Sequence, residues 1–368
     1  MRIAYVTLHM SSRYIFGGVG KKIQSQINVW KENGHEAHLF VHCSESMPVP
    51  NASVFPYWPG TSLPVLRSIF RESARITALR KMIRAVKDYN PDIIYLRYGM
   101  FCLPLQRLYA IAPVVVELNT LDKQEYRHRG LFYYWLNRLG REIILSKASA
   151  FVSVSHEIAV HPTMSKFHKP VTVIANGILV EDSQILPAPQ NKTPHLVFIG
   201  TAGMPWHGED KLVWLARQYP EIHIDIIGSS REDLANMEIP ENVTCHGFLN
   251  EEDFLKIYAT SDVAVGTLAL HRNQMEETST LKTREYLRAG LPVILGHQDT
   301  DLIGKEFEFV CQIPNREDNV ITHAEQIREF VYSMMGKRTD ISLILPLIDQ
   351  RQKEKERLKF FGTILDAH

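Results

Sequence analysis

The 368-residue sequence lacks the marks of several common protein classes. Its four cysteines are scattered without a Cys-x-x-Cys pair, which is typical of a reducing compartment and gives no structural zinc motif. No run of 18 apolar residues occurs, and the initial Met-Arg-Ile-Ala-Tyr-Val is typical of a strand rather than a signal peptide. The sequence therefore predicts a cytoplasmic protein without a membrane span.

Motifs for metal and nucleic acid are also missing. The sixteen histidines include no His-Glu-x-x-His, so no metal ligand set is predicted. The formal net charge is zero, and the cations are not interleaved with aromatics as in a known nucleic-acid module. We therefore expect neither a metal nor a nucleic-acid partner.

Short apolar strands alternate with helical patterns along the whole chain, which predicts α/β domains with parallel sheets. A chain of this length favours two domains, and the Pro-, Gln- and Asn-rich stretch 181–194 is a candidate linker. The predicted domains are residues 1–180 and 181–347, with a final helix over about 348–368. Strands are expected near 3–8, 36–41, 93–96, 114–118 and 151–155, and then near 196–200, 224–227, 243–245, 263–267 and 292–295.

The segment Glu277-Thr-Ser-Thr-Leu-Lys-Thr-Arg-Glu285 is the most informative stretch. A helix is predicted over 281–289, with Ser279 or Thr280 as N-cap and Gly290 after its end. A helix N-terminus with a nearby lysine and flanking carboxylates suits a ligand with phosphates in the middle and hydroxyls at both ends. A nucleotide-sugar has that layout.

This Glu-x7-Glu segment resembles the donor-binding signature of the family-4 retaining glycosyltransferases. The resemblance implies the GT-B fold, in which two doubly wound Rossmann-like domains face each other across a cleft and the last helix returns to the first domain. It implies that Glu285 holds the ribose and Glu277 the donor sugar, while Lys282 and backbone groups face the diphosphate. The implied donor-binding backbone belongs to Ser279, Thr280 and Leu281. The alternative is a solvated helix face on which Lys282 pairs with Glu285.

Two further sequence segments support the resemblance. Phe16-Gly-Gly-Val-Gly20 opens a helix after the first strand, and Gly17 and Gly18 match the family loop that touches the donor diphosphate, although a tight structural turn is the alternative. Val173-Ile-Ala-Asn-Gly-Ile178 resembles the family's crossing into the second domain. There Asn176 is predicted to have a structural role.

The sequence departs from the family where many relatives carry cations for the diphosphate. Thr201 follows Gly200, and Trp206-His207 precede the next glycine. Lys282 is therefore the first candidate cation. Arg272 is the second, or it is an ordinary surface residue.

On the acceptor side, Asn119 stands where many relatives have a histidine. Period-2 alternation places Glu117 on the same side of its strand. Arg97, at the end of a neighbouring strand, is expected to pair with Glu117, either to hold an acceptor hydroxyl or simply to satisfy the charge. Glu117 and Asn119 join Glu277 and Lys282 as candidate catalytic residues.

The resemblance implies metal-independent transfer of a sugar from a nucleoside-diphosphate sugar to a glycan or lipid-linked hydroxyl, with retention and no cofactor. A role in cell-surface polysaccharide biosynthesis follows from the family type. The alternatives are a nucleotide-sugar epimerase or hydrolase on the same fold, and a non-catalytic GT-B binding protein.

A basic stretch at 66–87 predicts contact with an anionic membrane. Seven cations and a recurring apolar stripe accompany a single acidic residue there. Residues 1–182 hold 22 Lys and Arg against 13 Asp and Glu, which also favours an anionic partner for this half. The alternative is an ordinary helix whose stripe packs on the first sheet.

Overall fold

The computed structural model describes residues 1–57, 64–121, 131–180 and 185–368. Two compact units divide the chain. The first contains Met1–Ala175 and Gln350–His368, and the second contains Asn176–Asp349. The predicted linker begins a few residues after this change of unit, and its positions 181–184 lie outside the described residues.

The first unit is built on a parallel sheet of seven strands among the described residues, in the order β3-β2-β1-β4-β5-β6-β7. All five strands predicted for this half are present. The two that the prediction missed, β3 and β7, are the outermost strands, where weak apolar patterning leaves little signal. The strands are β1 Arg2–Met10, β2 Glu36–Cys43, β3 Ala52–Pro56, β4 Ile93–Arg97, β5 Val114–Leu118, β6 Ala150–Ser153 and β7 Val171–Val173.

The helices of the first unit alternate with these strands, as βαβ connections require. Their bounds are Ser12–Ile15, Gly18–Glu32, Pro64–Tyr89, Leu131–Lys147, His156–Val160, Pro162–Ser165 and Gln350–Asp366, with a 3₁₀ helix at Leu105–Ala110.

The helix Gln350–Asp366 belongs to the first unit through a buried polar network. Glu354 accepts hydrogen bonds from Trp30 Nε1 at 2.7 Å and from Arg357 Nε at 2.8 Å. Arg357 donates to the Tyr95 hydroxyl at 2.6 Å, and the Phe361 ring lies 5.7 Å from Trp30. These buried charges are hydrogen-bonded, as stable burial demands.

The second unit has a parallel six-stranded sheet in the order β10-β9-β8-β11-β13-β15, and a separate pair, β12-β14. Apolar clusters cover both faces of the larger sheet. Of its strands, the sequence missed only β15, a three-residue strand at the edge. The strands are β8 His195–Ile199, β9 His223–Ile227, β10 Val243–Gly247, β11 Val263–Val265, β12 Glu277–Thr278, β13 Val293–Leu295, β14 Gln298–Asp299 and β15 Val310–Gln312.

Helices on both faces complete the doubly wound arrangement of the second unit. They are Glu209–Gln218, Glu251–Thr260, Leu281–Arg288, Asn319–Thr322, Ala324–Met334 and Leu345–Ile348, with 3₁₀ turns at Pro205–His207, Leu270–Asn273 and Ile341–Leu343. Because all strands of each large sheet run parallel, their carboxyl ends share one edge. Ligands of such sheets bind at that edge.

Candidate functional site

The helix Leu281–Arg288 begins and ends close to where the sequence predicts. Thr280 is its N-cap, and the Thr280 hydroxyl accepts the Thr283 N–H. Gly290 follows the helix with φ +78°, and the next N–H bonds back to Tyr286 O at 3.0 Å. The Tyr286 hydroxyl in turn accepts the Ile199 N–H at 2.8 Å, which fixes the helix against the end of β8.

The loop ahead of this helix is held by buried hydrogen bonds. Ser279 Oγ accepts from the Asn176 N–H at 2.8 Å and from Arg284 at 2.9 Å. Asn176 also donates to the Ser279 carbonyl. The Ser279 hydroxyl is thereby occupied within the protein, so a donor contact at this residue is left to its backbone. Asn176 has the structural role predicted for it.

Arg284 is fully buried and joins this loop to a pair of carboxylates. It pairs with Asp299 and, at 2.6 Å, with Asp301. Asp299-Thr-Asp301 is an Asp-x-Asp sequence, so the expectation of a metal-independent reaction cannot rest on the lack of such a motif. Because both carboxylates face the Arg284 guanidinium, this pair of acids acts as a structural counter-charge.

Lys282 is a predicted site residue whose polar group is buried and unused. Its Nζ atom is buried and has no hydrogen-bond partner among the described residues, and it lies 4.1 Å from the centre of the Phe198 ring. Burial lowers the pKa of Lys282 to about 7, with Glu209 acting in the opposite direction. The alternative of a solvated Lys282–Glu285 pair is therefore wrong, because the amine lies inside the protein over an aromatic ring.

Side chains that sequence reasoning did not assign surround this amine. His207 accepts the Thr201 N–H at 3.3 Å, and burial together with the Lys282 charge lowers the His207 pKa. A Cβ at Gly200 would lie 2.6 Å from the Phe198 ring and 2.8 Å from His207 Nδ1. Glycine at position 200 thus lets the chain turn closely beside Phe198. The only sequence signal was that this stretch departs from the family pattern.

The two glutamates of the motif lie at opposite ends of the same segment. Glu277 begins β12, is 5% exposed and is in register with Gln298 of β14. Glu285 is half-buried, in the second turn of the helix. Glu285 lies inside the helix and Glu277 ahead of it, as predicted, although Glu277 belongs to a two-residue strand rather than to a loop. Their contacts to a donor remain predictions.

Arg272, the second candidate cation, is already neutralised. It makes bonds of 2.8 and 2.7 Å to the two carboxylate oxygens of Asp210 and pairs with Glu317 as well. Hydrogen bonds to these two acids raise the Arg272 pKa above its usual value. This pairing argues against Arg272 as a phosphate ligand, and it leaves Lys282 as the candidate cation.

In the first unit, Glu117 is fully buried at the centre of a charged cluster. It accepts from Lys22 Nζ at 2.7 Å, from Arg97 at 2.9 Å and from the Tyr5 hydroxyl at 3.2 Å. Burial alone would raise the pKa of Glu117, but the two cations hold it well below its usual value. The predicted pairing with Arg97 is present, and Lys22 is a partner that the sequence analysis did not assign. Glu117 therefore holds cations in place rather than facing solvent.

Asn119 completes this cluster, and its side-chain NH2 group is left without a partner among the described residues. Its Oδ1 accepts from Arg97 at 3.1 Å and from Lys22 at 3.3 Å, which fixes the orientation of the amide. Its Nδ2 is buried and has no hydrogen-bond partner among the described residues. A donor in this position is suited to a hydroxyl or other acceptor oxygen.

The glycine-rich turn leads into the helix Gly18–Glu32, for which Gly17 is the N-cap with extended backbone. Neither Gly17 nor Gly18 has a positive φ. The glycine demanded by packing is Gly20, where a Cβ would lie 1.6 Å from the Ile15 carbonyl oxygen. The roles predicted for Gly17 and Gly18 remain predictions.

The predicted basic helix is present as Pro64–Tyr89, but most of its described apolar stripe packs inside the unit. Leu79, Met82, Ile83 and Val86 are buried. The exposed cations on this helix are Arg80, Lys81, Arg84 and Lys87, whereas Arg75 is buried. The side chains of 64–69 lie outside the described residues. The packing alternative therefore accounts for the stripe from Leu79 to Val86, whereas Phe70 is exposed together with these cations.

None of the helices described here combines the length and the hydropathy needed to cross a bilayer.

The chain resembles known proteins in part of its sequence and in its fold. Residues 16–182 match the family model "Glycosyltransferase Family 4". No curated protein sequence matches the chain. The fold matches that of sucrose-phosphate synthase from Thermosynechococcus elongatus with a TM-score of 0.72 at 12% identity, covering 100% of both chains.

Two further solved structures have the same fold. The lipopolysaccharide outer core galactosyltransferase WaaB matches with a TM-score of 0.65 at 13% identity, covering 100% of this chain and 99% of that one. Anabaena Alr3699/HepE, solved with UDP and glucose, matches with a TM-score of 0.64 at 13% identity, covering 97% and 99%. The predicted α/β class and GT-B fold are confirmed.

Proposed function

We propose that this chain, which has the GT-B fold and matches Glycosyltransferase Family 4 over residues 16–182, transfers a sugar, with retention, from a nucleoside-diphosphate sugar to a hydroxyl. The observation that carries this proposal is the buried Lys282 amine, which has no hydrogen-bond partner within the part of the chain that the structure describes. It lies one residue inside the N-terminus of the helix Leu281–Arg288. A buried cation beside a helix N-terminus is unfavourable while no anion is bound, and it is well suited to bind a diphosphate.

The same arrangement supplies the chemistry of transfer. As the bond from the sugar to the diphosphate breaks, negative charge grows on the leaving phosphate and positive charge grows on the sugar. A fixed ammonium and the first N–H groups of the helix stabilise that phosphate without having to reorganise. Lys282 and the backbone of 279–281 therefore take the place of the arginine and lysine that relatives carry after β8.

We assign the two glutamates different tasks. Glu285 holds the ribose, a contact of equal strength in the ground and transition states, so Glu285→Ala is expected to raise the donor KM with little change in kcat. Glu277 contacts the reacting sugar, so Glu277→Gln is expected to lower kcat more than it raises KM. Steady-state kinetics on both variants test the assignment, and unchanged constants in both would refute it.

On the acceptor side, we assign the contact to Asn119 and a positioning role to Glu117. The unused Nδ2 atom of Asn119 supports a hydrogen bond to the acceptor. Glu117 acts through Lys22 and Arg97, whose amino groups it orients. The reaction as proposed requires no cofactor or metal.

We further propose that the acceptor is a glycan or lipid-linked molecule, met at an anionic surface in polysaccharide synthesis. Support comes from the exposed cations Arg80, Lys81 and Arg84 and from the basic balance of residues 1–182. Because Leu79, Met82, Ile83 and Val86 are buried, the expected attraction of this helix to an anionic surface is electrostatic. Each cation near the surface contributes about 1 kcal/mol to it. Vesicle sedimentation tests this proposal. Binding to anionic but not neutral lipid, lost in the Arg80→Glu/Lys81→Glu/Arg84→Glu triple variant but kept in Lys256→Glu, is expected; equal pelleting with both lipids rejects it.

The decisive experiment is a thermal-shift screen with UDP-, GDP-, ADP- and CDP-sugars, followed by product analysis. Anabaena Alr3699/HepE and other matched structures were solved with UDP, so UDP-sugars come first. A ligand that binds the native state raises its midpoint, and Lys282→Met is expected to abolish the shift. Transfer must also depend on an added acceptor. Release of free sugar at the same rate without acceptor would identify a hydrolase instead.

A further inference from the structure

Three side chains of types that commonly bind metal ions lie together on neighbouring strands of the second unit. They are His195, His223 and Asp225, and one potential ligand atom from each lies within 4.8 Å of the others. His195 and His223 each begin a strand and are register partners in β8 and β9, with ring centres 4.9 Å apart. Asp225 is two residues beyond His223, so both side chains project from the same face of β9.

A third histidine holds the carboxylate of this cluster. His246 of β10 places Nε2 2.7 Å from Asp225 Oδ1, while His223 Nε2 lies 3.4 Å from the same oxygen. The side chain of Asp225 is 10% exposed, whereas those of His223 and His246 are 29% and 25% exposed. A buried carboxylate between partly exposed imidazoles leaves an open path for an ion.

We propose that His195, His223 and Asp225 bind Zn²⁺, with His246 positioning the carboxylate. Two imidazoles and a carboxylate are ligands that Zn²⁺ prefers, and the fourth position is left to water. Zinc bonds of about 2.0–2.2 Å put the donor atoms roughly 3.3–3.5 Å apart. Atoms up to 4.8 Å apart therefore need to approach by up to about 1.5 Å, which rotation of the partly exposed imidazoles provides. A histidine that orients a ligating carboxylate is a usual outer partner of such sites.

This site is separate from the proposed transfer chemistry. His195 stands at the amino end of β8, whereas Lys282 lies against Phe198, near the carboxyl end of that strand. His195 and Phe198 are three residues apart, about 10 Å at 3.3 Å per residue. β10 is the edge strand of the sheet and β9 lies between it and β8. An ion bound here would therefore stabilise the attachment of these two strands to β8.

Zinc titration of the full-length, EDTA-treated protein tests the proposal. Isothermal titration calorimetry is expected to find one equivalent of Zn²⁺, and Co²⁺ in its place should give the visible spectrum of a four-coordinate ion. Mg²⁺ at the same concentration should not compete, because it prefers oxygen ligands. The absence of a stoichiometric Zn²⁺ site in the folded wild-type protein overturns the proposal.

Matched variants locate the site. His195→Gln and His223→Gln are each expected to weaken Zn²⁺ binding more than 100-fold, and His246→Gln by about 10- to 100-fold as an outer partner. His323→Gln removes a half-buried histidine elsewhere in the same unit and should leave binding unchanged. Circular dichroism identifies any variant that fails to fold. Undiminished binding in folded His195→Gln or His246→Gln, or an equal loss in His323→Gln, places the ion elsewhere and overturns the assignment. Because none of these measurements uses transfer activity, their outcome is independent of the proposed function.

Discussion

Each unit contains a buried lysine near the carboxyl edge of its sheet, and the two lysines differ in what surrounds them. Lys22 of the first unit lies 2.7 Å from Glu117 and also bonds to Asn119. Lys282 of the second unit has only an aromatic ring at 4.1 Å and no hydrogen-bond partner among the described residues. Burial lowers both pKa values, to about 8 for Lys22 and to about 7 for Lys282, and Glu117 and Glu209 respectively oppose it. The paired lysine is part of the fold, whereas the unpaired one is stabilised only when an anion arrives.

The largest effect is expected from removing the carboxylate that pairs with Lys22. Glu117→Ala leaves Lys22 and Arg97 buried without their shared carboxylate. Removing one partner of a buried ion pair costs about 3–5 kcal/mol, so the free energy of unfolding should fall by that amount. Urea unfolding followed by circular dichroism measures the loss. Arg217→Ala, which removes an exposed partner of Glu238, is the control and should change it by less than about 1 kcal/mol. Equal stabilities would show that Glu117 is not a structural centre.

The unpaired lysine should behave in the opposite way. Lys282→Met removes a buried amine that no group satisfies, so the ligand-free protein should be as stable as the wild type or more so. Catalysis should lose about 2–4 kcal/mol of transition-state stabilisation, as on removal of one donor to a developing oxyanion. The ratio of kcat/KM values and the melting temperature are measured on the same preparations. Lys256→Met, at an exposed lysine, is the control. A near-normal rate would remove Lys282 from the diphosphate site.

The pH dependence of donor binding sharpens the comparison further. A nucleotide-sugar diphosphate keeps its charge between pH 6 and 9, so the titrating group is Lys282. The free protein has its pKa at about 7, and the bound anion favours the protonated amine. Donor affinity should therefore be constant below pH 7 and fall about tenfold per pH unit above it. Fluorescence or calorimetric titration at several pH values follows this fall. Lys282→Met should bind weakly at every pH, and the same slope in that variant would point to another group.

The smallest effect is expected at Arg272. Its guanidinium is shared by Asp210 and Glu317, so its charge is balanced before any donor binds. Arg272→Lys should change kcat/KM by less than about threefold, since exposed ion pairs contribute at most about 1 kcal/mol. A loss comparable to that of Lys282→Met would mean that the arginine leaves its two acids to reach the phosphate.

Local sequence signals predicted the structure around Glu277–Glu285 well. Thr280 caps the helix, Gly290 follows it, and most strands of both sheets lie where apolar runs predicted them. Caps, turns and apolar periodicity act between residues close in sequence, so one sequence is enough to identify them.

The same signals could not predict pairing between distant residues. Lys22 meets Glu117 after 95 residues, and Arg272 meets Asp210 across 62. Nothing in either local sequence indicates which acid neutralises which base, because tertiary packing decides it. For this reason the sequence could offer Arg272 as a second candidate cation, and it could not indicate that His195, His223 and Asp225 lie together.

The contribution of the helix Gln350–Asp366 to the first unit has a consequence for synthesis on the ribosome. The polar groups of Trp30 and Tyr95 find their partners in Glu354 and Arg357, and Phe361 completes the aromatic cluster around them. Translation proceeds at roughly 5–20 residues per second. Trp30, which lies in the helix Gly18–Glu32, is therefore separated from Glu354 by 324 residues and by many seconds. The second unit, encoded within one uninterrupted stretch, has all its own segments before the first unit does. Part of the core of the amino-terminal half therefore stays exposed until the helix Gln350–Asp366 has been synthesised. This half is consequently the one that most needs protection by chaperones.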